Sequence, residues 1–299
     1  MNADSTRVFP NLSESFKRRF PFRLSVPSFI YPAGYADNVR MLASFVDEIE
    51  LLLLESGDDR LPSESEIEEL ANLGIANDLT YNIHLPTDLD LSAPSKTDRR
   101  WALERLCNAI ERAHPLAPTT YTLHLPYHET DHQKPTIGRW AMRNAESLTD
   151  LLTMSRLSPR QISIETLDYP PDWFEALVNH IDLAVCIDMG HVLRFGYDLE
   201  KTWETYGDRT TMVHLHGVCD GRDHLGLDQM PKMAIKTVRD CLNSYTGALS
   251  LEVFSFDRLN ASLPCLAQMF PPLALSPVIP CGRQQNETRI RNQIQNQED

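Results

Sequence analysis

Short apolar runs with the two-residue alternation of β-strands recur along the chain at residues 22–28, 48–54, 79–85, 120–125, 161–165, 183–188, 211–216 and 248–253. Between them several stretches carry apolar positions three and four apart, the spacing of one helix face. These are SESEIEELANLG, with Ser63 and Glu66 at capping-box distance, TDRRWALERLCNAIERA, GRWAMRNAESLTDLLTMSR, PDWFEALVNH, and PKMAIKTVRDCLNSY opening on Pro231. A further amphipathic stretch, DRLNASLPCLAQMF, follows the last strand. Eight strands alternating with helical segments predict an α/β fold, the (β/α)8 TIM barrel. No repeat or hinge-like linker interrupts residues 20–270. The chain therefore divides into an N-terminal extension, 1–20, a barrel domain, 21–271, and a Pro-rich then Gln/Asn-rich tail, 272–299, expected to be disordered.

Strand parity says which side chains point into the barrel, because successive residues face opposite ways. Tyr81, Ile83 and Leu85 oppose Thr80, Asn82 and His84, and Tyr121, Leu123 and Leu125 oppose Thr120, Thr122 and His124. Ile162 and Ile164 oppose Ser163 and Glu165, while Val185 and Ile187 oppose Cys186 and Asp188. Met212, His214 and His216 share a face, and Leu249, Leu251 and Val253 oppose Ser250 and Glu252. Six consecutive strands thus carry His84, His124, Glu165, Asp188, His214 and Glu252 near their C-terminal ends, where such barrels build their sites. Any one of these alone reads as a hydrogen-bonded core histidine or a buried ion pair. Six at equivalent positions, with Lys and Arg nearly absent there, are costly to bury without a cation. Imidazoles and carboxylates without thiolates are the donor set of Zn2+, Mn2+ or Fe2+.

Composition narrows the alternatives. The chain has 299 residues, and 28 basic against 42 acidic side chains leave a net charge of −14, which argues against nucleic acid as the ligand. The basic stretch KRRFPFR at 17–23 reads as a solvated face before the first strand. No run approaches the roughly 18 apolar residues of a membrane span. The first twenty residues lack the apolar segment of a signal peptide, so the expected location is the cytoplasm. The cysteines, Cys107, Cys186, Cys219, Cys241, Cys265 and Cys281, form no C-x-x-C pair and read as free thiols. Glycine-rich phosphate loops are absent, which argues against dinucleotide cofactors. His114, His128, His132 and His180 read as surface or structural residues, His128 and His132 being the two placed to touch a substrate, and Glu50 as barrel-filling or backing a ligand.

The sixth strand continues as CIDMGHVLRFGYDL, placing Asp188 and His191 three apart before a helix start. This run resembles the endonuclease-IV-like branch of the xylose-isomerase-like TIM barrels, the AP endonuclease 2 superfamily, over about residues 22–256. The resemblance implies a metal set of His84, His124, Glu165, Asp188, His191, His214 and Glu252, with Asp223 and His224 from the loop after strand seven. It implies two or three divalent ions, zinc or manganese, with iron also compatible. Two departures stand out: the family's DNA-repair members carry His-x-Asn-Asp on strand seven and then Asp-x-His, whereas this chain reads HLHG and then adjacent Asp223 and His224. His216 competes with His214 by parity, and alignment with the family's histidine favours His214.

Three reactions suit such a site: metal-dependent hydrolysis, sugar or sugar-phosphate isomerisation or epimerisation on a single-metal Glu-Asp-His-Glu core with Glu165 and Glu252 as catalytic carboxylates, and AP-site DNA cleavage. The isomerase core leaves His84, His124 and His191 unused, which favours a multinuclear hydrolase, and the charge and altered strand seven disfavour the nuclease. HLPTDLDL, ETLDYP and HLHG followed by DHLGL resemble the superfamily's cobamide-remodelling hydrolases, which implies cleavage of the phosphoribosyl bond in the nucleotide loop of a vitamin-B12-type corrinoid. The expected partner is accordingly a small molecule, a cobamide or a sugar phosphate. A non-catalytic binding barrel would require the whole ligand set to be incidental.

Overall fold

The computed structural model describes residues 9–57 and 60–271. The expected tail, 272–299, lies outside the described residues. Eight parallel strands close a barrel: β1 (Arg23–Pro27), β2 (Glu48–Leu52), β3 (Thr80–His84), β4 (Tyr121–Leu123), β5 (Ile162–Glu165), β6 (Ala184–Asp188), β7 (Thr210–Leu215) and, last in the chain, β10 (Ala248–Leu251), which pairs with β1. Neighbours in space are neighbours in the chain, as right-handed strand–helix–strand crossovers require. Outside the barrel lie α1 (Tyr35–Leu42), α2 (Glu64–Asn77), α3 (Lys96–Ala113), α4 (Lys134–Ser155), α5 (Glu175–Ile181), α6 (Met189–Arg194), α7 (Leu199–Tyr206), α8 (Lys232–Leu242) and α9 (Phe256–Met269). Ser63 caps α2 by accepting the Glu66 N–H at 3.2 Å, as its spacing predicts, and Ser95, Asp198 and Ser255 cap α3, α7 and α9 in the same way.

Between β7 and α8 the structure departs from the expected loop. Gly217–Cys219 (β8) and Arg222–Leu225 (β9) form an antiparallel hairpin, turned at Asp220 and Gly221 with positive φ of 51° and 72°. Asp223 and His224 therefore sit on a strand, where adjacent side chains face opposite ways, and not on a loop that brings both to one ion.

The outer faces of the barrel strands, among them Val26, Ile49, Ile83, Leu123, Ile164, Ile187, Val213 and Leu251, pack on the helices in one continuous apolar core. The inner faces are polar: Asn82, Thr122, Ser163 and Ser250, as the parity assigned, and Ser25, Glu48 and Glu50 beside them, are all fully buried. Only Cys186, Met212 and Ala248 form a small separate apolar cluster there. Leu12, Phe16 and Phe20 of the described part of the N-terminal extension are buried in the main core, and Phe22 meets Phe270 edge-on, so residues 9–20 dock on the barrel. Its basic stretch is paired within the protein: Lys17 donates to the Asn77 carbonyl at 2.5 Å, Arg18 pairs with Asp78, and Arg19 with Glu14. No helix among the described residues is long and apolar enough to cross a membrane.

Candidate metal centre

Each strand delivers its polar side chain to the C-terminal mouth, and the register fixes the spacing. Glu165 is paired across the sheet with Cys186, Asp188 with His214, and His214 with Ser250. Glu165 lies at the middle of the resulting cluster. Its Oε2 is 2.9 Å from His124 Nε2 and 3.2 Å from His84 Nε2, and its Oε1 is 3.5 Å from the Nδ1 atoms of both His191 and His214. Glu252, just past β10, brings Oε2 to 3.5 Å from His214 Nδ1.

Ligand-type atoms of His84, His124 and Glu165 all lie within 4.8 Å of one another, and so do those of Glu165, Asp188, His214 and Glu252. Glu165 belongs to both groups. A third group, His191, His216 and His224, meets the same limit. The structure thus brings together eight of the nine residues the resemblance implies, the exception being Asp223, whose carboxylate is held by the Arg194 guanidinium. His216 falls in the group with His191 and His224, and His214 in the groups around Glu165. His114, His128, His132 and His180 are exposed and take no part in these groups, although His132 packs on the Trp173 ring.

Two features of this chain fit a cation. His214 donates its Nε2–H to Glu50 Oε1 at 2.8 Å, and Glu50 is held in turn by the Ser250 hydroxyl at 2.6 Å. Nδ1 of His214 therefore faces the carboxylates, and neither Nδ1 nor Glu252 Oε2 has a hydrogen-bond partner among the described residues, although both are buried. Likewise His84 donates Nδ1–H to the Leu85 carbonyl at 3.0 Å, which turns Nε2 toward Glu165. Lone pairs aimed at carboxylates across a buried gap are repulsive unless a proton or a metal ion lies between them.

The electrostatics are those of an over-acidic pocket. Burial raises the Glu252 carboxyl well above its ordinary value, and Glu165, Asp188 and Glu50 push it the same way. Burial also opposes charge on Glu165 and Asp188, but His124 and His214 around the first, and His191 and His216 around the second, outweigh it and hold both below the usual range. On His124 burial dominates and lowers its basicity, leaving the ring neutral and able to act as a ligand.

A model of the xylose isomerase-like TIM barrel family matches residues 42–269. The chain belongs to this family. Folds of its kind are also seen among solved structures. A D-tagatose 3-epimerase-like protein superposes with a TM-score of 0.70 at 19% identity, over 83% of this chain and 97% of that one. Endonuclease IV from Thermus thermophilus gives 0.62 at 17% identity, over 82% and 99% of the two chains. An IOLI protein crystallised with a zinc atom gives 0.67 at 10% identity, over 83% and 98%. At such identities the likeness is one of fold. Among curated proteins none matches the chain by sequence. Within this xylose isomerase-like barrel, His216 is the residue that sequence reasoning placed outside its preferred set, and the parity of HLH was the signal that contained it.

Proposed function

We propose that this chain is a metal-dependent hydrolase with a multinuclear centre, and that its substrate is a cobamide cleaved at the phosphoribosyl bond of the nucleotide loop. The observation that carries the hydrolytic reading is the sharing of Glu165 between two ligand groups, His84–His124–Glu165 and Glu165–Asp188–His214–Glu252. A single-ion isomerase has use for the second group and none for the first. The cobamide assignment rests on the resemblance of HLPTDLDL, ETLDYP and HLHG…DHLGL.

When bound, divalent ions in such a centre lower the pKa of a coordinated water and offset charge on the attacking and leaving oxygens. The chain's own part is positioning. Glu165 presents Oε2 to the His84–His124 side and Oε1 to the His214 side. Glu50 accepts the His214 Nε2–H, which turns Nδ1 toward Glu165 and Glu252. Glu252, with a raised affinity for protons and Oε2 unengaged, is the group able to hold a proton at the mouth of the centre. The rim is aromatic: the Phe254 ring lies 4.9 Å from that of His224, and both Phe254 and Phe195 are exposed. Free thiols at Cys107, Cys186, Cys219, Cys241 and Cys265 suit the cytoplasmic location that the reading requires.

The test is incubation of the enzyme, loaded in turn with Zn2+, Mn2+ and Fe2+ under reducing, anaerobic conditions, with a complete cobamide, followed by mass spectrometry of the corrinoid. The expected product keeps the loop phosphate and has lost ribose and base; intact cobamide refutes the substrate. The second reading, a sugar or sugar-phosphate epimerase, is favoured by the Glu165–Asp188–His214–Glu252 group alone. Turnover of ketoses with one bound ion and no dependence on His124 would establish it.

A further inference from the structure

We propose that Arg194 is the receptor for the substrate's phosphate at the mouth of the metal centre, and that Asp223 holds the place of that phosphate in the free chain. The proposal rests on the hydrolytic reading above, which calls for a phosphate-bearing substrate, and it names the side chain that would read that group.

The short helix α6 sets the geometry. His191 turns into the centre, its Nδ1 3.5 Å from Glu165 Oε1. Arg194 and Phe195 follow three and four residues later, so they share its side of the helix, about 4.5–6 Å further along the axis. The rings agree with this placement: Phe195 lies 6.3 Å from His191 between centroids, and the Arg194 guanidinium carbon stands 5.1 Å from the Phe195 centroid. The hairpin approaches α6 from the other side. The His224 ring is 5.7 Å from that of His191, and the neighbouring Asp223 is ion-paired with Arg194. The pair thus sits one helical turn out from a group of candidate ligands, on the aromatic rim, with the Arg194 side chain 35% exposed and that of Asp223 19%.

A guanidinium so placed is free to change partners. Among the described residues Asp223 is its hydrogen-bonding partner, and the rest of the fork is unengaged. Arg258, by contrast, spends its donor on the His224 carbonyl at 3.1 Å, and Arg143 is spent on the Ser92 carbonyl and Glu129. Lying over the Phe195 ring holds the planar fork in an orientation suited to two parallel bonds to one phosphate. A partly exposed ion pair contributes little to stability, so an incoming phosphate can displace the carboxylate at small cost. The surroundings supply the need for a cation. Glu50, Glu165, Asp188 and Glu252 are buried close by, and the chain carries a net charge of −14, all of which repels an approaching anion. A neutral ketose has no use for such a receptor.

The experiment uses the full chain loaded with zinc and inorganic phosphate as the probe, read by titration calorimetry at fixed ionic strength. Coordination of phosphate by zinc is common to all the proteins compared and drops out of the ratios. Arg194→Ala is expected to weaken phosphate binding about tenfold, as loss of a charge-assisted hydrogen bond does. Asp223→Asn breaks the same ion pair from its other end and is expected to tighten phosphate binding about two- to fivefold by releasing the guanidinium. Zinc content is expected to stay the same in both. If the pair only braces the hairpin against α6, the two variants shift phosphate affinity in the same direction; if Asp223 ligates metal, Asp223→Asn loses zinc. Either result overturns the proposal, as does an affinity that neither variant moves. A cobamide and a ketose phosphate titrated in turn separate the two sources of the group, since the one that carries it follows the same opposed pair of shifts. In turnover, Arg194→Ala is expected to raise KM for the cobamide about tenfold with kcat little changed. Intact cobamide beside opposed shifts in phosphate affinity refutes the substrate and keeps the receptor. Cobamide cleaved by all three proteins with equal phosphate affinities refutes the receptor and keeps the substrate.

Discussion

Replacing Glu252 by glutamine should stabilise the metal-free protein while crippling its metal uptake. Glu252 is 6% exposed and shares its group with Glu165 and Asp188, the ligand atoms lying within 4.8 Å. At an effective dielectric of about 20, unit charges 4.8 Å apart repel by about 3.5 kcal/mol, once for each neighbouring carboxylate. A protonated His214, 3.5 Å from Glu252 Oε2, offsets part of this and the folded chain avoids the rest by keeping a proton on Glu252, so replacing the carboxyl by an amide is expected to gain about 2 kcal/mol. For a domain of this size that corresponds to a rise of roughly 4–8 °C in melting temperature.

The pH dependence has a definite sign. The Glu252 carboxyl is raised by burial and its acidic neighbours, so the folded chain keeps a proton that the unfolded chain releases near its ordinary value of about 4.3. Wherever the folded state binds more protons, stability falls as pH rises. The advantage of Glu252→Gln over wild type should therefore be absent below about pH 4 and widen with pH until the folded carboxyl ionises. Calorimetry of chelator-treated samples at pH 6 and pH 8 measures the gap, and repeating it with zinc should reverse the order, because only wild type offers the carboxylate oxygen. A metal-free variant that melts at or below wild type at pH 8 would refute the reasoning.

Glu165→Gln and His214→Ala should each abolish turnover with the fold kept, as read by near-UV circular dichroism; full activity with metal retained in either variant would overturn the site. His124→Ala should lower both rate and the number of bound ions if the centre is multinuclear, and wild-type values for both would hand the assignment to the epimerase reading. Gly190→Ala should cost about 1–3 kcal/mol through overpacking against the His216 ring, seen as a lower denaturation midpoint. An unchanged midpoint would mean that the imidazole has another place to go.

Much of this was written in the chain because the barrel interior is polar. With Asn82, His84, Ser163, Glu165, Asp188 and His214 turned inward and leucines and isoleucines outward, alternation marked both the strands and the face that carries chemistry. The hairpin of β8 and β9 escaped that reading although its turn, Asp220-Gly221, is the dipeptide such hairpins favour; strands this short carry too few residues for alternation to register. The capture of Asp223 by Arg194 was equally hidden, since residues 29 positions apart give no sign in sequence that they will pair. His216 was visible by parity, but its contact with the backbone N–H of His224 was not, because that N–H is placed by a hairpin the pattern did not reveal.

The same interior ties stability to the ligand. Four buried carboxylates around His214 place more negative charge in a low-dielectric space than the neighbouring imidazoles neutralise, and the raised Glu252 carboxyl is where the excess shows. Protons can offset that excess at low pH, and divalent ions can do so at neutral pH. An ion that binds the folded chain and not the unfolded one stabilises it by RT ln(1 + [L]/Kd), about 2.7 kcal/mol at a hundredfold excess over Kd. That is of the size lost to carboxylate repulsion in the metal-free centre. The acidic mouth of this barrel is therefore where the metal-free fold gives up stability to charge, and where an ion that restores it would also equip the site to react.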